Sequence, residues 1–286
     1  MEVRKIDLHM HTTVSDGTDT PEEILSRVKS AGITLFSVTD HDAIKGCSAV
    51  LGGLASGDPA CICGAEFSCK DEEGKYHILG YGYDPQAPTI QNLTKTCHQF
   101  RIMRVRSRLD WLAKEYSFTF SEEDIAALFA LPNPGKPHVA KLMVRYGYVP
   151  TAQAAFDLYL NQYGGKVERL RPEAAISAIL DAGGIPILAH PSFGSGTELI
   201  VGEEMERRLA RLTEYGIKGI EAFYSGFSPA MRDELLTLAK RRRLYVTAGS
   251  DYHGTNKTVV LGDTGLPDPA AYPEGLLRFL EDVRHT

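Results

Sequence analysis

Short apolar runs alternate with helix-length amphipathic segments along most of this chain, and nearly every run stops at a histidine or a carboxylate. The first run, KIDLHMHTTVSDG, sets the pattern: Ile6, Leu8 and Met10 alternate with Asp7, His9 and His11, the period of a strand. His9 and His11 therefore point to one side, with Asp16 just beyond a turn. Further strand-like runs are expected at Thr34–Thr39, Ala60–Phe67, Tyr76–Tyr83, Ile185–Pro191, in GIKGIEAFY and in LYVTAGSDYHG. Helices are expected from Thr20 to Ala31, from about Lys45, and over Glu173–Ala182, Met205–Tyr215, Ser228–Arg242 and Ala270–Val283. Thr20-Pro21-Glu22-Glu23 opens the first of these with a capping residue, a proline at the first helical position and an acid in the first turn. Strand–helix alternation of this kind selects an α/β architecture with mainly parallel strands.

Between about Pro88 and Tyr163 the alternation stops. Helical patterns cover Ile90–Glu115, Ser121–Phe129, His138–Tyr146 and Thr151–Leu160, broken by the proline-rich LPNPGKPHVA. This stretch reads as a helical cap, 88–163, inserted into an α/β domain formed by 1–87 and 164–286.

The 286 residues carry 31 basic and 37 acidic side chains, a net charge of −6, which argues against duplex nucleic acid as a partner. No apolar run approaches the roughly 20 residues that cross a bilayer, and the N-terminus has no signal-peptide core. The five cysteines match no disulfide framework and read as buried thiols in a reducing, cytoplasmic setting.

Polar residues recur where the strands run out: His9 and His11, His41, Glu66, His190, then Asp251 and His253. Each alone has an ordinary explanation, a core histidine or a turn cap. Together, at strand ends that converge on one face of an α/β barrel, they predict a site. Imidazoles mixed with carboxylates, without a thiolate set, suit Mn, Zn or Fe. His98 and His285 lie in helical, exposed contexts and are left out of this set.

The ordered elements DLHMHTTVSDG, SVTDHD, GAEFS, YHILGY, ILAHP and GSDYHG resemble the PHP (polymerase and histidinol phosphatase) family of metal-dependent phosphoesterases. The resemblance spans Lys5 to Gly254 and implies a distorted (β/α)7 barrel. It also implies two or three divalent ions. One would be held by His9, His11, Glu66 and Asp251, a second by Glu66, His77 and His190, and a third by Asp16, His41 and His253. His77 enters only through the resemblance, and some relatives carry histidine where this chain has Asp16.

GKPHVAKLMVRYGYV and AFDLYL are similar to the cap of the subgroup acting on nucleotides and small phosphates. That likeness places Arg101, Arg104, Lys136 and His138 at the substrate phosphate, with His138 as a proton donor or phosphate ligand; Asp251, of the metal set, is the other expected catalytic residue. Arg101, Arg104 and Arg108 share one helix face, which suits guanidinium–phosphate contact but also describes a solvated basic stripe. The implied reaction is hydrolysis of a small phosphate ester, a nucleotide mono- or bisphosphate being the leading case, by a hydroxide held between ions. A cyclic phosphodiester, the 5′ end of RNA and amidohydrolase-type C–N cleavage are the alternatives. Glu221 ends a strand on the same side without an assigned role, other than orienting a ligand from behind.

Overall fold

The computed structural model describes residues 5–165, 167–194 and 198–283. His285 and the expected strand residues Val3 and Arg4 lie outside them. The chain divides into two compact units, Met1–Thr94 with Leu170–Thr286, and Lys95–Arg169. The first division falls inside the sequence-based boundary at 88, because the first turns of the long cap helix belong to the first unit, and the second falls beyond the boundary at 163.

The first unit begins with β1 (Ile6–Asp7), α1 (Pro21–Ser30), β2 (Leu35–Phe36), α2 (Lys45–Gly53), β3 (Ala60–Cys61), β4 (Gly64–Lys70) and β5 (Lys75–Tyr81). α3 (Pro88–Tyr116) carries the chain into the second unit, which contains α4 (Glu122–Phe129), α5 (Lys136–Arg145) and α6 (Ala152–Ala155). The first unit resumes with α7 (Pro172–Asp181), β6 (Ile185–Leu188), α8 (Gly202–Glu214), β7 (Gly219–Tyr224), α9 (Pro229–Arg242), β8 (Tyr245–Gly249) and α10 (Glu274–Asp282).

The α/β class holds, with one strand departing from an all-parallel arrangement. The strands form a parallel three-stranded sheet, β1-β2-β3, and a five-stranded sheet, β4-β5-β6-β7-β8, in which β5 runs antiparallel to both neighbours. Backbone bonds link the two sheets at two places. Leu8 N–H donates to Ala248 O at 2.9 Å beside β1 and β8, and Asp42 N–H donates to Glu66 O at 2.7 Å beyond β2. The expected Ala60–Phe67 strand is interrupted at Ile62 and Cys63, which separates β3 from β4.

β1 and β2 are only two residues long, and side chains take over several of the backbone donors that follow β1. Met10 N–H donates to Thr39 Oγ1 at 3.2 Å, His9 N–H to Asp7 Oδ1 at 3.3 Å, and Thr12 N–H to Asp40 Oδ1 at 2.8 Å. Isolated backbone pairs hold the strand ends as well, His11 N–H donating to Tyr252 O and Thr39 N–H to Met10 O, both at 2.9 Å.

α1 forms as its sequence predicts. Thr20 Oγ1 accepts from Glu23 N–H, and Glu23 Oε2 accepts from Thr20 N–H at 2.7 Å. Ile24 and Val28 from its inner face join Met10, Phe36, Val38 and Cys61 in a buried cluster, each large aliphatic contributing roughly 1.5–3 kcal/mol. All five cysteines are buried thiols, none of them in a disulfide. α10 starts at Glu274, later than expected, because Pro269–Ala271 forms a separate short turn and Pro273 sits at the cap.

The second unit has its own core. Val105, Leu109 and Leu112 of α3 pack with Leu128 of α4 and with Val139, Leu142 and Met143 of α5. The expected helix over Thr151–Leu160 is four α-helical residues followed by a wider π turn, Phe156–Leu160. Among the described residues no helix is long and apolar enough to cross a membrane.

Candidate metal centre

All nine residues expected to bind metal come together in the first unit around the carboxylate of Glu66, which is fully buried on β4. Its two oxygens address different imidazoles. Oε1 lies 2.9 Å from His77 Nδ1 and 3.1 Å from His190 Nε2. Oε2 lies 3.3 Å from both His9 Nε2 and His11 Nε2 and 2.9 Å from His41 Nδ1. His77 reaches the cluster because β5 pairs antiparallel with β4 and puts His77 opposite Ser68, two residues from Glu66.

Asp251 closes the opposite side. Its Oδ1 lies 3.5 Å from His9 Nε2, 3.3 Å from His11 Nε2 and 3.4 Å from His253 Nδ1. Asp16, on the loop after β1, lies 3.3 Å from His253 Nε2 and 3.8 Å from both His11 and His41. Four groups of converging ligand atoms result: His11, Asp16, His41 and His253; His9, His11 and Asp251; His9, Glu66 and His190; and His41, Glu66 and His77. The grouping puts His11 beside the set expected around Asp16, and His41 beside both Asp16 and Glu66.

The donor set fits divalent ions. His9 Nε2, His11 Nε2 and Glu66 Oε2 are buried and find no hydrogen-bond partner among the described residues. Buried polar atoms in that condition are costly, on the order of 1–3 kcal/mol each, unless a ligand completes them. Outer contacts also fix which nitrogen faces inward. Glu221, fully buried on β7, can only accept, so His9 Nδ1 donates to its Oε1 at 3.0 Å and Nε2 turns toward Glu66 and Asp251. The other oxygen of Glu221 accepts from His190 N–H at 2.8 Å. His253 Nδ1 donates to Asp251 O at 2.8 Å, which turns its Nε2 toward Asp16. Glu221 therefore orients the His9 ring from behind.

Burial and charge compete over each group. Burial alone would lower the His9 imidazole, but Glu221, Glu66 and Asp251 outweigh it and raise it well above the usual range. His11 ends at about 9 by the same competition, its close contacts with the carboxylates of Asp251 and Glu66 prevailing over burial. His77 and His253 go the other way, to about 4, because burial dominates despite nearby carboxylates. Burial pushes Glu66, Asp251 and Asp16 upward, yet the surrounding imidazoles hold all three well below the carboxylate range.

The supporting residues were less visible in the sequence. Asp7 accepts from Ser250 N–H at 2.9 Å, Ser250 Oγ–H at 2.6 Å and Gly262 N–H at 2.8 Å, tying the first and last strand ends together. Burial nevertheless raises its carboxyl to about 6. Asp40 accepts from Thr12 N–H and Thr12 Oγ–H, both at 2.8 Å, and from Ser15 Oγ–H at 2.6 Å, anchoring the loop that carries Asp16. The only legible signal was a carboxylate next to each ligand, in DLHMH and TDHD. Asp42, His190 and Asp251 have positive φ values of 54°, 25° and 58°, the local strain that clusters at functional sites.

Within the second unit, Arg101, Lys136 and His138 meet near the start of α5, where a Cβ at Gly135 would sit 3.4 Å from Arg101 Nη1. His138 Nδ1 accepts from Gly135 N–H at 3.2 Å, so the neutral ring carries its proton on Nε2. Lys136 bonds Asn161 and lies 5.1 Å from the Phe156 ring centroid. Arg104 is half-buried on α3. Arg106 packs over Phe129 and Arg108 over Tyr163.

The PHP domain family model matches residues 7–167. A phosphoribosyl 1,2-cyclic phosphate 1,2-diphosphodiesterase of Eggerthella lenta is 30% identical over 258 residues, covering 87% of this chain and 94% of that protein. A 5′-3′ exoribonuclease of Haemophilus influenzae is 30% identical over 255 residues, covering 87% and 90%. A 3′,5′-nucleoside bisphosphate phosphatase of Chromobacterium violaceum is 29% identical over 262 residues, covering 87% of each.

Proposed function

This chain belongs to the PHP domain family and is a phosphoric ester hydrolase, and we propose that its substrate is a nucleotide mono- or bisphosphate. The observation that carries the reading is Glu66, a buried carboxylate whose two oxygens serve two separate sets of imidazoles. A structural ion needs four ligands and a closed site, and nine ligand-type residues exceed that need.

His9, His11, Asp251 and Glu66 would hold one divalent ion, Glu66, His77 and His190 a second, and Asp16, His41 and His253 a third, as Mn, Zn or Fe. Bound there, such ions supply positive charge for phosphoryl oxygens and lower the pKa of water. The chain's own residues prepare the site. Glu221 holds His9 in the tautomer that offers Nε2, and Tyr224 and Lys257 neutralise the outer oxygen of Asp251 so that Oδ1 alone turns inward. Arg101, Arg104 and Lys136 are assigned to the substrate phosphate, where guanidinium groups would spread the developing negative charge. His138, with its proton on Nε2, is assigned to donate to the phosphate or the leaving oxygen.

The test is phosphate release from Mn-loaded protein beside an Asp251→Asn variant. The panel holds nucleoside 5′-monophosphates, 3′,5′-bisphosphates, sugar phosphates, a phosphoribosyl cyclic phosphate and 5′-phosphorylated RNA. Release from nucleotides by the wild type, lost in the variant, is expected. Turnover confined to the cyclic phosphate or to RNA would replace the substrate assignment.

A further inference from the structure

Tyr224 of the first unit borders the metal centre and packs with two further aromatic side chains. The Tyr224 ring stands edge-on to His190, centroids 5.5 Å apart, and its hydroxyl donates to Asp251 Oδ2 at 2.9 Å. Phe227 lies 5.0 Å and Phe193 6.0 Å from the Tyr224 ring, and the two phenylalanines are 5.4 Å apart. None of the three is fully buried. A core triad would be covered, but the segment crossing this one is an exposed glycine. A Cβ on Gly226 would come within 2.9 Å of Tyr224 Cε1 and 3.1 Å of Phe193 Cε2. Lys257 Nζ reaches the same oxygen of Asp251, at 2.6 Å, with 40% of its side chain exposed. The side of the centre bearing Asp251 Oδ2 therefore presents both partly open aromatic rings and a solvent-reaching cation.

We propose that Phe193, Tyr224 and Phe227 form a platform for the base of a nucleotide whose phosphate is held at the metal centre, with Lys257 facing a further anionic group of the same substrate. The proposal rests on the phosphoesterase reading and narrows it. Base-aromatic stacking tolerates any base because each has a π face, so the platform selects nucleotides over sugar phosphates without selecting one nucleotide. It also separates this chain's substrate from a base-less phosphoribosyl ester.

The experiment compares binding of two non-hydrolysable ligands, adenosine 5′-phosphonate and ribose 5-phosphonate, to Mn-loaded protein by calorimetry. The wild type is expected to bind the adenosine ligand roughly 10-fold tighter or more. That ratio should collapse toward one in Phe227→Leu and Phe193→Leu, which keep apolar volume, and should survive in Phe227→Tyr, which keeps the ring. Lys257→Met should weaken an adenosine ligand carrying a second phosphate more than one carrying a single phosphate. A wild-type ratio near one, or leucine variants that weaken both ligands equally, overturns the platform while leaving phosphate-ester hydrolysis intact. Failure to bind either ligand, with no phosphate released from any nucleotide, overturns both readings.

Discussion

The two units each gather polar side chains, but on opposite terms. Around Glu66 six imidazoles and two further carboxylates, Asp16 and Asp251, are crowded into a site where most are buried, and several ligand atoms have only one another to face. Near the start of α5 the cations are half-buried, and each with a described contact has a local reason to be there: Lys136 bonds Asn161, and His138 caps the backbone of Gly135. Arg106 and Arg108 pack on aromatic rings. A buried, over-supplied cluster demands a ligand to explain it, whereas a locally satisfied one is compatible with packing alone. The metal centre thus follows from physical chemistry within the first unit, and the phosphate role of the cap residues leans on family likeness.

The sharpest way to break this contrast is at Glu66. Glu66→Gln keeps the shape but removes the charge shared by the imidazoles, and turnover should fall on the order of 1,000-fold or more, with bound metal reduced. Retained turnover would remove Glu66 from its bridging position. Glu221→Gln should be milder because the amide can still meet His9 Nδ1 in one orientation. A loss of about 10- to 100-fold in metal affinity is expected, read by competition with a chelator.

Acidity sharpens the same point. With His11 raised to about 9, metal must displace its proton below that pH. Affinity should therefore climb with pH up to about 9, by up to about tenfold per unit for each proton displaced. Calorimetry in buffers of different ionisation enthalpy should show net proton release, and a pH-independent affinity would mean His11 is no ligand. In the second unit, Arg101→Ala or Lys136→Ala should raise KM roughly 10-fold with little change in melting temperature. Arg106→Ala, whose guanidinium packs on Phe129, should change KM less than about twofold.

The convergence of His9 and His11 was legible because strand periodicity is strict. His9 and His11, two residues apart, meet the same Glu66 and Asp251 oxygens even though ladder pairing of β1 ends at Asp7. His77 was legible only through resemblance, since its place depends on the antiparallel register of β5, which no local pattern encodes. The interruption between β3 and β4 was invisible for a related reason: Ile62 and Cys63 are as apolar as their neighbours, and tertiary hydrogen bonding decides where the ladder breaks. Asp7, Asp40 and Tyr224 act through partners distant in sequence, Ser250, Thr12 and Asp251, and such pairings leave no trace in spacing. Helix limits set by local chemistry, as at Thr20 and Ser228, came through within a residue or two.

The most direct test of the central claim is the metal content of purified, Mn-reconstituted protein, measured per chain alongside phosphate release for the wild type and Glu66→Gln. The account predicts two or three ions per chain in the wild type, fewer in the variant, and phosphate release that falls with them. One ion or none in a wild type that still releases phosphate, or full activity in the variant, would contradict it.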